Sequence, residues 1–187
     1  MDDDAPVSRE GRLLVAAPTL VDPHFHRAVV LMLEHTAEGA LGLILNRPLD
    51  LVARDTLPED LGGLLPEVDH LHEGGPVQPD AIIVLAEFDD PGEAAGIAFG
   101  QVGIVDPGGE LVGLDERTGA ARAFGGYAGW SGGQLEEEIA DGAWIDAPAT
   151  VGDVSSEDTG HLWADVLARK GGTWRIIARM PVDPTVN

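Results

Sequence analysis

The chain has 187 residues, 33 of them acidic and 11 basic, for a net charge of −22. That field excludes a protein that grips DNA, RNA or anionic lipid through their phosphates, and with 0 cysteines there is neither a disulfide framework nor a thiolate metal site. Hydrophobic residues make up 44%, which excludes disorder and supplies one full core, so one domain is the default. The N-terminus, Met1-Asp2-Asp3-Asp4, is the opposite of a signal peptide's basic start, and no apolar run approaches the ~20 residues that span a bilayer. The expected setting is cytoplasmic. No Lys or Arg occurs from Asp55 to Glu116 or from Ala123 to Ala168, and Lys170 is the single lysine. Solvated acidic faces and adaptation to high salt both account for this pattern.

Residues 1 to about 10 read as a disordered acidic tail. Leu13 to Ala17 is a buried-type strand ended by Pro18, and Asp22-Pro23 marks a turn in the loop that follows. Ala28 to Leu33 and Ala40 to Leu45 form a hairpin closed by Thr36 to Gly39. Pro48 ends the second of these strands, because proline cannot donate to the ladder. Leu49 to Leu65 carries weak helical signals broken by Pro58 and Gly62-Gly63. His70 to His72 is a short strand running into Gly74-Gly75-Pro76, and Ala81 to Ala86 is a clear buried strand. Between 89 and 122 the pattern predicts short strands and one helix near Asp115 to Arg122.

The stretch from Phe124 to Ile139 organises the rest. It holds five glycines between Gly125 and Gly133, flanked by aromatics. Phe124 to Trp130 reads as a strand of small residues. Ser131 then has the chemistry of a helix N-cap, with Gln134 placed for a capping box and Leu135 and Ile139 at i, i+4. Trp144-Ile145 and Ala149 to Val154 suggest two more strands. Asp158 caps a last helix whose apolar face is Leu162, Trp163, Val166 and Leu167, with Arg169, Lys170 and Gly171 at its end. Trp174 to Ala178 reads as the closing strand, and 181–187 as a tail.

Two patterns bear on chemistry. Gly129-Trp130-Ser131-Gly132-Gly133 fits G-x-S-x-G in a strand–turn–helix setting, with Asp153 or Asp158 and then His161 in the order a hydrolase requires. Only 56 residues follow Ser131, too few for the further units that normally carry acid and base, so Ser131 is read as a cap. The pairs His24/His26 and His70/His72 each face one way in an extended strand, and with Glu34-His35 and Glu73 they are the available metal ligands. Hydrogen-bonded histidines are the plainer reading. Arg47, a rare cation at a strand end, is expected to be anchored by a carboxylate or by backbone carbonyls.

Several segments together resemble the YqgE/AlgH family: Gly11 to Ala16 with Pro18, Asp22-Pro23-His24-Phe25, Glu34-His35, Gly39 to Pro48, Glu73 to Val77, and Gly126 to Trp130 with Gly133-Gln134-Leu135-Glu136. The resemblance covers about residues 11 to 170. It implies an α+β single domain at 11–180, in which a bent, mostly antiparallel or mixed sheet forms a barrel-like core with helices packed outside. It implies no catalytic residue and no cofactor. Some members carry the name of transcriptional regulators. In relatives glycine or alanine usually stands at the Ser131 position, and His24 and His26 lie outside the family pattern.

The expected function is therefore a non-enzymatic binding or regulatory module. Its partner is a protein or a small molecule, not nucleic acid or membrane, and its state a monomer or small homo-oligomer. The candidate surface joins Glu34, His35, Asn46, Arg47, Pro48, Gly74, Gly75, Pro76, Gly126, Tyr127, Gly129 and Trp130, all in loop-like segments rich in special backbone residues. The alternative is a hydrolase using Ser131, with or without a metal.

Overall fold

A computed structural model describes residues 7–182. The strands are β1 (Arg12–Ala16), β2 (Val29–Thr36), β3 (Gly39–Ile44), β4 (Pro48–Val52), β5 (His70–Glu73), β6 (Val77–Phe88), β7 (Gly96–Phe99), β8 (Val102–Ile104), β9 (Thr118–Ser131) and β10 (Trp144–Pro148). The helices are α1 (Ala53–Thr56), α2 (Glu59–Gly62), α3 (Gln134–Ala140), α4 (Val151–Val154), α5 (Leu162–Lys170) and α6 (Trp174–Ile177). None among the described residues is long and apolar enough to cross a membrane.

The spine is β9, at 14 residues the longest of these strands. Phe124 and Gly125 are flanked by β6 on one side, antiparallel, and by β5 on the other, in parallel. From Ala128 onward β3 is the partner, with Gly42↔Ala128 and Ala40↔Trp130 in register. Residues Ala121 to Gly126 are all buried, which explains why this stretch is mostly small and, Arg122 apart, apolar. The full order is β10-β1-β2-β3-β9-β6-β8-β7, with β4 joined through β5.

The fold is a mixed α+β single domain with a large, mostly antiparallel sheet, but the sheet does not close into the expected barrel. Its path ends at β10 and at β7. Instead of meeting another strand, β10 offers its outer carbonyls to the basic end of α5. Lys170 Nζ donates to the Asp146 carbonyl at 2.6 Å, and Arg169 Nη2 to that of Pro148 at 3.2 Å. Charged side chains thus cap the edge that closure would have consumed.

Alternation along β1 divides the interior. Leu13 and Val15 face α5, packing with Trp163, Val166 and Leu167. Leu14 and Ala16 face α3, packing with Trp130, Leu135 and Trp144. A further cluster lies beneath α1 and α2, around Leu65, Phe88 and Val84.

Several local expectations change. Asp115 to Arg122 is no helix: Thr118 to Arg122 is the first part of β9, paired with β6. Pro48 opens β4 opposite His72 rather than only ending a strand. Ala149 to Val154 becomes a helical turn, because Thr150 and Asp153 form a reciprocal capping box. Trp174 to Ile177 is α6, and Trp174, Ile177 and the C-cap Ala178, at i, i+3 and i+4, pack against the α5 side of the core. Short apolar runs do not distinguish the two periods; here the helical one won. The tail expectations fall mostly on 1–6 and 183–187, outside the described residues. Within the described part, residues 9 and 10 are docked: Arg9 pairs with Asp146 at 3.0 Å, and Glu10 accepts the His35 amide.

Candidate functional site

The loop from Asp22 to Arg27 enters β2 through a turn in which Asp22 accepts the His24 amide at 2.8 Å. Arg27 sits at a positive φ of 53°, a conformation that costs a side-chain-bearing residue of order 1–3 kcal/mol. Asn46 holds it there. The buried Asn46 amide accepts the Val29 N–H and donates to the Arg27 carbonyl, both at 2.9 Å. The Arg27 guanidinium then lies 4.4 Å above the Trp163 ring, and Nη2 donates to the carbonyls of Met180 and Pro181. Arg47, from the next position along, donates Nη2 to the His26 carbonyl. Its anchor is a backbone carbonyl; none of the described carboxylates lies within ion-pair distance of it.

Between these residues and α5–α6 opens a cleft of about 570 Å³. Its lining includes His26, Arg27, Asn46, Arg47, His161 and Trp163, and among the described residues it includes no Asp or Glu. In a chain with 33 acidic residues that is a marked local exclusion. Burial lowers both guanidinium groups from their ordinary value, and for Arg47 nearby Glu73 opposes the shift. Both stay charged at neutral pH, because arginine begins so high. Among the described residues Nε and Nη1 of each have no partner.

The remaining predicted residues do not join this cleft in one surface. His35 is buried on the α3 side: Nδ1 accepts the Arg9 amide at 3.1 Å, which places the proton on Nε2, donated to Glu136 at 2.6 Å. Glu34 is exposed beside it. Trp130 is a core aromatic, stacked on Phe25 at 6.1 Å and edge-on to Trp144. Both indole N–H groups donate to one carboxylate oxygen of Glu138. His35 and Trp130 meet residues of α3, whereas Asn46 and Arg47, just past the end of β3, line the cleft beside α5.

A family description given as AlgH-like matches residues 13–175. The chain belongs to the AlgH-like family. It is 43% identical to a UPF0301 protein of Streptomyces coelicolor, with 96% of each chain covered. It is 35% identical to a UPF0301 protein of Chlorobaculum tepidum over 100% of both. Among solved structures, it resembles a Corynebacterium diphtheriae protein at TM-score 0.84 and 25% identity, covering 92% of each. It also resembles the AlgH protein of Pseudomonas aeruginosa at TM-score 0.67 and 28% identity, covering 97% of this chain and 98% of that one.

In this AlgH-like chain the glycine-rich candidates form a backbone crossing. Gly74, Gly75 and Gly126 are buried. A Cβ on Gly74 would stand 2.2 Å from the Gly126 carbonyl oxygen, and one on Gly126 2.5 Å from that of Gly75. These positions serve the close approach of the β5 exit to β9. Pro76 and Gly129 are exposed nearby, and Gly129 sits against the Tyr127 ring. Pro48 leaves the arginine cleft for a smaller neighbouring pocket.

Ser131 is not the N-cap it is expected to be. The cap position is Gly133, at φ 80°, and α3 begins one residue later. Half of the capping box survives, displaced: the Ser131 amide donates to Gln134 Oε1 at 3.1 Å, and Oγ to the same atom at 3.2 Å. His161 pairs with Asp158 at 2.7 Å and Asp153 with Arg169 at 2.8 Å, so neither is hydrogen-bonded to Ser131. Nor does Ser131 line the cleft that holds His161. Ser131→Ala is accordingly expected to change stability by no more than about 0.5 kcal/mol, as for an exposed substitution, measured by urea unfolding. The wild type is expected to resist a fluorophosphonate probe.

The histidine pairs also resolve. His70 Nδ1 lies 2.8 Å from the Leu49 carbonyl, and His72 Nδ1 2.8 Å from that of His70. No group of three or more acidic, His or Cys residues among those described is placed to hold a metal. What sequence reasoning missed is the surroundings of His72. Arg122, only 4% exposed, forks onto Asp69 at 3.0 and 3.1 Å. Its signal was a lone cation inside an alanine-rich strand. Burial, and next the Arg122 charge, push His72 down to about 4 from 6.5. The unfolded chain therefore takes up a proton first as pH falls, and the folded chain follows only near its own lower value. Stability is expected to be lost across that interval and to level off below it, by on the order of 3 kcal/mol. Urea titrations of wild type and His72→Phe compared across the interval check this; the variant lacks that part of the slope.

Proposed function

We propose that this AlgH-like protein is a non-enzymatic binding module of the cytoplasm whose ligand is a small anion, held in the cleft between Arg27, Arg47 and Trp163. The single observation that carries the reading is the absence of carboxylates among the described lining residues of a cleft that gathers two of the 11 basic residues of a chain of charge −22. Each guanidinium is fixed by backbone carbonyl contact through Nη2 and keeps Nε and Nη1, on different edges of the group, as separate charged donors to the oxygens of an anion such as a carboxylate or phosphate. The strained Arg27 backbone adds support, since such strain gathers at ligand-binding positions. Any regulatory role of the kind some relatives are named for would pass through this ligand or a partner protein, because the overall charge repels nucleic acid.

The test is calorimetric titration with inorganic phosphate, citrate and benzoate. At least one is expected to bind saturably, with binding weakened at least tenfold in Arg47→Lys, which lacks the planar fork. Arg47→Lys is also expected to cost about 1–3 kcal/mol of stability through its bond to the His26 carbonyl. Duplex DNA at ~0.15 M salt is expected to show no sub-micromolar binding. Absence of saturable binding by all three anions would overturn the assignment of the cleft, and salt-sensitive DNA binding would overturn the account of partners.

A further inference from the structure

The buried polar side-chain atom left without a hydrogen-bond partner among the described residues is Nε2 of His72. The residue is 2% exposed. Because Nδ1 contacts the His70 carbonyl at 2.8 Å, Nδ1 carries the proton and Nε2 presents a lone pair. An orphaned buried acceptor costs about 1–3 kcal/mol, and such a group calls for an explanation.

His72 lines a pocket of about 340 Å³ between β4–β5 and Thr159, with Asp50 and Glu157 at its exposed mouth and Asp69 and Arg122 within. It is a different place from the arginine cleft; among the described residues Thr159 alone lines both. Every nitrogen of Arg122 already donates within the fold. Nε and Nη2 go to Asp69, and Nη1 goes to the carbonyls of Val154 and Ser156 at 2.9 and 2.8 Å. The lining is rich in acceptors, His72 Nε2 and the carboxylates of Asp50 and Glu157, and the Thr159 hydroxyl can both donate and accept. A ligand that satisfies Nε2 must donate to it. A cationic donor at Nε2 meets the same two penalties that keep His72 neutral, desolvation and the neighbouring Arg122 charge. Neutral donors remain, and a compact molecule with several neutral donors is a polyhydroxyl compound.

We propose that this pocket binds a sugar or polyol, one hydroxyl donating to His72 Nε2 and neighbouring hydroxyls to Asp50 and Glu157. Carboxylates accept from paired sugar hydroxyls in the same way at the ribose of dinucleotide sites.

The experiment is imidazole 15N NMR of the full chain, titrated with D-ribose, D-glucose and myo-inositol, with methylammonium as the cationic control. At least one polyol is expected to move the His72 Nε2 resonance saturably, with a dissociation constant in roughly the millimolar range, and methylammonium is expected to leave it in place. Glu157→Gln, at an exposed position, is expected to weaken binding several-fold. His72→Phe is expected to abolish it, and if that variant does not fold, the wild-type titration decides. No saturable shift with any of the three polyols overturns the proposal. So does a response to methylammonium alone, or unchanged binding in a folded His72→Phe. None of these outcomes depends on whether the arginine cleft binds anions.

Discussion

Gly75→Ala is expected to abolish the stable fold. Gly75 has φ 156°, and an added Cβ would stand 2.1 Å from the Tyr127 carbonyl carbon and 2.3 Å from the Ala128 nitrogen. These are backbone atoms, so no rotamer change relieves the clash. Nor can β9 step aside: Tyr127 is paired with Val77 of β6 and Ala128 with Gly42 of β3. The expected loss exceeds about 4 kcal/mol, a size reserved for steric and network failures of this kind. Gly100→Ala is the control. It also carries a positive φ, 54°, but a Cβ there meets nothing within 4 Å, so its cost is the conformational one, about 1–2 kcal/mol. Urea unfolding of both variants separates crowding from backbone strain; near-equal losses would mean that the crossing yields more readily than its geometry implies.

Arg122→Met is expected to cost about 3–5 kcal/mol, the range for breaking one partner out of a buried ion pair. Its guanidinium satisfies both oxygens of Asp69 and two carbonyls, those of Val154 and Ser156. The substitution leaves a largely buried carboxylate and two carbonyls without donors. Adding Asp69→Leu removes the uncompensated charge, so the double variant is expected to recover part of the loss, while the two carbonyls keep it below wild type. A double variant no more stable than Arg122→Met would show that the carbonyl contacts, not the ion pair, dominate. Because Arg122 also borders His72, the 15N shift of His72 reports on the same substitution.

The arginine cleft was half legible. Asn46 and Arg47 stood out as a rare polar pair at a strand end, and the structure gives Asn46 a buried bridging role and Arg47 a carbonyl anchor. Arg27 and Trp163 were not assigned to it, because their meeting depends on α5 returning across the sheet, 136 residues of chain later. That separation leaves no local pattern to read. The twelve predicted surface residues divide for an equally physical reason. His35 and Trp130 turn toward α3, whereas Asn46 and Arg47 border the α5 side, and a run of residue types does not reveal which face of the sheet each will meet.

The sequence alone determined that the chain is a single α+β domain, where most of its strands lie, and its family, because apolar runs, turn residues and motif order are local. It also marked Gly74, Gly75 and Gly126 as backbone positions of special kind. Only the tertiary structure decided that these glycines serve one crossing, that the sheet stays open, and that Trp174 to Ile177 is helical. It also decided that His72 and Arg122 share a pocket. Each of these depends on which distant segment supplies the opposing atoms: the basic end of α5 at the β10 edge, the core beside α6, and the backbone of β9 beneath Gly75.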